Sequence, residues 1–148
     1  MEKDVIISIK GVQRYENADP DTMELVTAGR LEREGNSYTL SYQESELTGL
    51  EGTLTTFQIE PERITLMRVG GFNSQMVFQE GRRHMSMYNT PYGAMTIGVN
   101  TRHLLAELDD QGGEIEIDYA IEIDHSVAGR NTFQINVKEA EGAAGLQI

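Results

Sequence analysis

Side chains of alternating polarity run through one long segment of the chain, Glu114–Asp124, and this feature most restricts its fold. Isoleucine or tyrosine occupies every second position from Ile115 to Ile123, and acidic residues or alanine fill the positions between. Successive side chains of a β-strand point to opposite faces, whereas a helix needs apolar spacings of three and four. The segment is therefore predicted to be a strand with one dry and one solvated face.

The same period-two pattern recurs along most of the chain. Phe133–Val137, Tyr38–Tyr42 and Met95–Val99 alternate cleanly between apolar and polar side chains. One stretch, Thr101–Leu108, fits either a single helical turn or a strand that continues to Asp109. The remaining candidate strands are less regular and cover about residues 5–9, 22–34, 52–60, 63–69, 75–80 and 82–90. Such a density of short strands predicts an all-β chain.

Short segments rich in glycine, asparagine and aspartate separate these runs, for example Gly35-Asn36 and Asp109–Gly113. Strands joined by tight loops are antiparallel neighbours, since a parallel pair needs a crossover of about a dozen residues. Closing such a meander removes the exposed edges that promote aggregation. We therefore predict an all-β fold, a single antiparallel meander closed into a lipocalin-like (calycin) β-barrel of about 8–10 strands. A two-sheet sandwich is the alternative, with the Glu16–Thr22 loop as its one clear crossover.

The length of 148 residues suits one ordinary domain, whose core needs no disulfide or metal. We predict a single barrel domain over residues 1–148, with an ordered barrel at about 4–139 and a frayed tail at 140–148. The first residues lack a signal-peptide pattern, and no apolar run approaches the roughly 20 residues that span a bilayer as a helix. A cytoplasmic location is the expectation.

Acidic residues outnumber basic ones by 24 to 12, which gives a formal net charge of -12. Such a surface repels nucleic-acid phosphates and anionic membrane lipids, so neither partner is predicted. Cysteine is absent, which excludes disulfides and thiolate metal ligands. The three histidines, His84, His103 and His125, lie in different segments, and no metal site is predicted.

The polar stretch Arg82–Tyr92 is the best candidate for a binding site. On a strand, His84 and Tyr88 share one face, while Arg83 and Met85 share the other. Which face points into the barrel stays open. An arginine at the barrel mouth would pair a carboxylate through two parallel hydrogen bonds. The candidate ligand-binding residues are Arg68, Arg83, His84, Met85, Tyr88, Thr90, Tyr92, Met95 and Tyr119.

Several segments of the chain carry a family resemblance. The most specific is Arg83-His84 followed by Tyr88-Asn89-Thr90-Pro91-Tyr92-Gly93. Further segments are Leu47–Gly52, Ile64–Arg68, Gly113–Tyr119 and Asn131-Thr132-Phe133. Together, over about residues 4–139, they resemble the YwiB-like bacterial family. This resemblance implies a calycin-like barrel, in agreement with the strand pattern, and an activity that is uncharacterised. Lipocalin-like relatives of such a barrel hold small apolar ligands or haem.

Three functional hypotheses follow from the sequence. The first is a barrel that binds a small apolar or amphipathic ligand, such as a fatty acid, or haem with His84 as its axial ligand. The second is a non-catalytic structural or interaction protein, also as a homodimer, whose barrel is filled by its own side chains. The third, an enzyme, is disfavoured because no nucleophile elbow or phosphate loop is present, and no catalytic residue or cofactor is predicted. A cavity of roughly 300 Å³ or more would favour the first hypothesis over the second.

Overall fold

The structure of the chain is a computed structural model that describes residues 1–15, 18–71, 73–90, 93–123 and 126–140, without the side chains of 87–90. The predicted frayed tail beyond Ala140 lies outside these residues. Within them, ten β-strands form the fold, and no helix is long and apolar enough to cross a membrane. The strands are β1 (Glu2–Arg14), β2 (Asp21–Glu34), β3 (Ser37–Gln43), β4 (Thr53–Ile59), β5 (Ile64–Gly70), β6 (Ser74–Phe78), β7 (Arg83–Thr90), β8 (Gly93–Asp109), β9 (Gly112–Ile123) and β10 (Ser126–Glu139).

Each strand pairs antiparallel with its neighbours in sequence, and β10 pairs with β1 to close the sheet into a barrel. The first and last strands are in register from Val5 opposite Glu139 to Arg14 opposite Arg130. β1 also pairs with β2, so the connection between them is a hairpin and not a crossover between two sheets. The predicted antiparallel meander closed into a barrel is confirmed, and the sandwich alternative is wrong.

The stretch Thr101–Leu108, which the sequence left open between helix and strand, lies within the long strand β8. A bulge between Thr101 and His103 adds one residue to β8 relative to β9. Such a bulge exchanges the residues that face the two sides of a strand, so Leu104 and Leu108 pack against the core beyond it. Leu104 and Leu108, whose spacing resembles a helical turn, therefore lie on the same inward face of a strand.

The inward side chains form an apolar core that is most completely buried toward one end of the barrel. We call the two ends the closed end, where β1 begins and β2 ends, and the open end, where β1 ends and β2 begins. Period-two alternation brings every second residue of a strand inside, as the sequence predicts. The fully buried apolar side chains are Val5, Ile7, Leu31, Leu40, Phe57, Ile64, Leu66, Phe78, Val99, Ile115 and Ile117.

Polar side chains also join two hairpins at the closed end. Arg33 Nε lies 2.7 Å from Asp110 Oδ1, and the Tyr38 hydroxyl donates a hydrogen bond of 3.1 Å to the same oxygen. The Arg33 hydrogen bond is the main cause that lowers the pKa of Asp110, and burial is the main cause that raises the pKa of Tyr38. These three residues, the Asp110 clamp, connect the β2–β3 hairpin with the β8–β9 hairpin.

Candidate functional site

The inward stripes of the strands change from apolar to polar toward the open end. Along β3 and just beyond it, Leu40 is followed by Tyr42 and Glu44, and along β5 Leu66 is followed by Arg68. Because neighbouring strands run in opposite directions, polar residues at the end of one strand meet those at the start of the next. Thr55 at the start of β4, for example, stands opposite Arg68. The inward polar residues gathered there are Glu44, Thr53, Thr55, Arg68 and Asn131.

A cavity of about 450 Å³ enters the barrel at the open end, where β1 ends and β2 begins. Its wall includes Tyr119, whose ring centroid lies 4.7 Å from that of Phe78 and 5.9 Å from that of Phe133. Gly11 leaves space on β1, since a Cβ atom there would lie 3.5 Å from the Phe133 ring, an ordinary contact distance. The apolar wall consists of Val12, Met23, Leu66, Met76, Tyr119, Ile121 and Phe133, and the polar wall of Gln13, Asp21, Thr22, Arg68, Asn131 and Thr132.

Arg68 and Glu44 are the charged pair of this site. Arg68 Nε lies 4.0 Å from Glu44 Oε2, too far for a hydrogen bond, and the two side chains are 16% and 1% exposed. Glu44 accepts hydrogen bonds from the hydroxyl of Thr55, at 2.5 Å, and from that of Thr48, at 2.9 Å. Both carboxylate oxygens therefore have donors other than Arg68.

The Arg68 Nε–H group is buried and finds no acceptor among the described residues. A buried donor without a partner costs about 1–3 kcal/mol of stability. Since Arg68 lines the cavity, an acceptor atom on a bound molecule would remove that cost. The geometry therefore favours a ligand that carries an acceptor group.

Tyr42 belongs to the same polar group, two residues before Glu44. Burial, followed by the negative charge of Glu44, raises the pKa of the Tyr42 phenol above its ordinary value of 10.0. The phenol therefore stays protonated at neutral pH and remains a donor toward Glu44. Together with the hydroxyls of Thr48 and Thr55, it keeps the buried carboxylate in one position.

Of the candidate residues predicted from the sequence, the structure brings Arg68 and Tyr119 together on the cavity wall. Arg83 and Met85 lie on the outer face of β7, where Arg83 Nη1 contacts Glu122 Oε1 at 3.1 Å and Met85 is exposed. Ser86, the next residue along the strand, is buried, so Ser86 and His84 belong to the face that points into the barrel. This settles which face of β7 points inward, a choice that the sequence left open.

His84 stands on the inward face of β7 opposite the fully buried Val99, near the closed end of the strand and away from the cavity. Its Nε2 atom lies 3.0 Å from Gln79 Oε1. Met95 is exposed near the start of β8 and is not part of the cavity wall. Three further candidates lie outside the described part of the chain, namely the side chains of Tyr88 and Thr90 and the whole of Tyr92.

The sequence-based candidates omit Glu44, Met76 and Asn131, which the structure places at or beside the cavity. A signal for two of them exists in the sequence, because each is a polar residue that continues an apolar period-two stripe. Glu44 follows the stripe of Tyr42, and Asn131 precedes that of Phe133. Polar interruptions of this kind, rather than the polar stretch on β7, mark the open end.

The described part of the cavity wall provides no histidine ligand for haem or a metal ion. Neither His84 nor His103 lines it, and His125 lies outside the described residues. His103 lies between two outer glutamates, with 3.4 Å from Nδ1 to Glu80 Oε1 and 3.7 Å from Nε2 to Glu116 Oε2. In the residues that the structure describes, no group of three or more His, Cys, Asp or Glu side chains could hold a metal ion. Among the described residues, none offers an imidazole to a haem in this cavity.

Comparison with known proteins gives a family without an assigned role. The ywiB protein from Bacillus subtilis has a similar solved structure, with a TM-score of 0.82 and 20% sequence identity over 93% of this chain and 92% of that chain. At this identity the likeness shows a shared fold. No curated protein matches the chain. The family model described as "Domain of unknown function (DUF1934)" matches residues 7–135. The predicted resemblance to the YwiB-like proteins is thus confirmed, and the chain belongs to the DUF1934 family.

Proposed function

We propose that this chain is a binding protein for a small apolar or amphipathic molecule, which enters the barrel through the open end. The observation that supports this best is the cavity of about 450 Å³, which falls in the range of roughly 300–1,000 Å³ typical of ligand sites. Its wall combines an apolar surface with a few polar groups, and one of these, the Arg68 Nε–H, has no acceptor in the described part of the chain. Binding sites commonly have this composition.

The alternative function, a structural protein with a filled barrel, agrees with only part of the molecule. The closed end is filled by side chains such as Phe78 and Ile115, which are fully buried. The open end keeps its cavity because Gly11 contributes no side chain and because Arg68 and Asn131 stand where apolar residues would complete the core. The homodimer and the calycin likeness stay predictions, and fold likeness alone carries no function.

A fluorescence titration tests the proposal. N-phenyl-1-naphthylamine is uncharged and brightens in apolar surroundings, so it reports an accessible apolar cavity without relying on charge. We expect saturable binding to the purified protein, and native mass spectrometry should show the bound dye or a copurified small molecule. Absence of both would contradict the proposed function.

Two valine variants on β1 test whether the dye binds in the cavity. Gly11→Val puts a side chain into the cavity, where the first added carbon meets only ordinary contacts, and should weaken dye binding by at least about tenfold through lost volume. Ser8→Val adds the same side chain to the exposed outer face of the same strand and should leave binding unchanged. Equal effects of the two variants would place the dye elsewhere and contradict the cavity as its site.

A further inference from the structure

The charge balance around the cavity restricts the ligand further, and this inference rests on the proposed function. Among the described residues that line the cavity, Arg68 is the positive group and Asp21 the negative one. Glu44 adds a second negative charge 4.0 Å from the guanidinium. One positive charge therefore faces two negative ones at this site.

Glu44 is a buried acidic neighbour of Arg68 whose position is fixed by its own hydrogen bonds. Its side chain is 1% exposed, and hydroxyls of Thr55 and Thr48 hold both of its oxygens. Buried charge pairs are screened by salt much less than exposed ones. A bound carboxylate would compete with Glu44 for the same guanidinium while lying near a carboxylate that cannot move away.

Other positive groups do not correct this balance. Arg14 and Arg130 stand opposite each other at the open end, but both are exposed and lie on the outward parity of their strands, beside the inward Asn131. The formal net charge of -12 also repels anions at longer range. An anionic ligand is therefore opposed both at the site and on approach.

The site nevertheless offers a hydrogen-bond donor, so the ligand must supply an acceptor. The Arg68 Nε–H is buried and has no acceptor among the residues that the structure describes, so it suits a carbonyl or hydroxyl oxygen. We propose that the ligand is an uncharged amphipathic molecule whose polar end carries an acceptor oxygen, such as an amide, ketone or alcohol, and that it is not a fatty-acid anion. This replaces the pairing of an arginine with a carboxylate that the sequence suggests.

Displacement of N-phenyl-1-naphthylamine by four compounds of equal chain length tests this inference. The compounds are decanamide, decan-1-ol, decanoate and decyltrimethylammonium, used near neutral pH, where the acid is ionised. We expect decanamide and decan-1-ol to displace the dye at concentrations at least about tenfold lower than decanoate, because an uncompensated charge in a partly buried site is strongly disfavoured. Tighter binding of decanoate or of decyltrimethylammonium than of decanamide would overturn the inference.

Three variants separate charge from packing. Glu44→Gln keeps the shape and removes the counter-charge, so it should improve the binding of decanoate relative to that of decanamide by about tenfold. Asp21→Asn, at an exposed rim position that leaves the buried network intact, should act in the same direction by about two- to threefold. Arg68→Met should weaken decanamide by a larger factor than it weakens the dye, whose own affinity is titrated on the same variant.

The outcomes distinguish this inference from the proposed function. If the dye binds but decanoate is preferred, or if neither Glu44→Gln nor Asp21→Asn shifts the preference toward decanoate, the inference fails and the binding function stands. If neither the dye nor any of the four compounds binds, both are overturned. Circular dichroism of each variant shows whether the barrel is intact, and Asp21→Asn carries the test should Glu44→Gln not fold.

Discussion

At the closed end of the barrel, inward side chains such as Phe78, Leu31 and Ile115 are fully buried. At the open end, the stripes of β5 and β10 carry Arg68 and Asn131 instead, beside a cavity of about 450 Å³. The same ten strands thus supply both ends. Packing in the closed half contributes most of the stability, since burial of apolar surface is worth about 25 cal/mol per Å². The open half gives up part of that burial and keeps an accessible polar site.

Removing one phenylalanine from each end should give the largest contrast. Phe78→Ala empties a fully buried position and should lower the free energy of unfolding by about 3–5 kcal/mol. Phe133→Ala removes a half-buried ring that already borders the cavity, so its cost should be roughly half as large. Urea denaturation measures both, and equal losses would remove the energetic distinction between the two ends.

A matched pair of glycines should give the next contrast. Gly113, in the β8–β9 hairpin at the closed end, has a φ of +146°, and a Cβ atom there would lie 1.9 Å from the carbonyl oxygen of Glu107. Gly113→Ala should therefore cost about 3 kcal/mol, because backbone rather than a side chain must move. Gly11→Ala at the open end should change stability by less than about 0.5 kcal/mol. If Gly113→Ala left the free energy of unfolding unchanged, the backbone at the closed end would be more deformable than its packing implies.

Alkaline pH should act on the open end. The pKa of Tyr42 is raised on folding from its ordinary value of 10.0, so the stabilisation by its protonated phenol is complete below that pH and is lost as the pH rises above it. The free energy of unfolding of the wild type should fall more steeply above pH 10.0 than that of Tyr42→Phe. The other titrating groups are common to both proteins and cancel in the difference. The free energies of unfolding come from chemical denaturation at each pH. If they fall in parallel for the wild type and Tyr42→Phe, the role of Tyr42 is contradicted.

Acidic pH should act on the closed end, with the smallest effect of the series. The pKa of Asp110 is lowered from 3.8, chiefly by its hydrogen bond with Arg33, so its contribution is present above that pH and is lost as the pH falls below it. Asp110→Asn should be slightly less stable than the wild type near neutral pH and equal to it in strong acid. Salt should reduce the difference, because the clamp is exposed. A difference that persists unchanged in acid would point to packing instead.

Most of the fold could be predicted from the sequence, because alternation is a local property of each strand. Glu114–Asp124 shows its inward residues directly, and the tight loops dictate antiparallel neighbours. Arg83, His84 and Met85 give no apolar contrast between the two faces of β7, so the sequence does not show which face is inward. The burial of Ser86 and the pairing of His84 with the buried Val99 on β8 decide it.

The site was predicted in part, through Arg68 and Tyr119. The sequence does not show which distant strand ends meet. Their meeting places Glu44 beside Arg68 and both near Asn131. Such meetings depend on strand order and on register shifts, for example the one between Val127 and Gly129 on β10. The polar interruptions at Glu44 and Asn131 are visible in the sequence, but which strand ends meet is set by the whole sheet.

β1 pairs with β10, the last of the ten strands in chain order, so one edge of β1 stays uncovered until β10 has been synthesised. Contacts between residues as far apart as Val5 and Glu139 form slowly, because a long loop must close first. During that interval β1 and each newly made strand present unpaired backbone to other nascent chains. The excess of carboxylates, which gives the chain a charge of -12, keeps such chains apart until the ring of strands is complete.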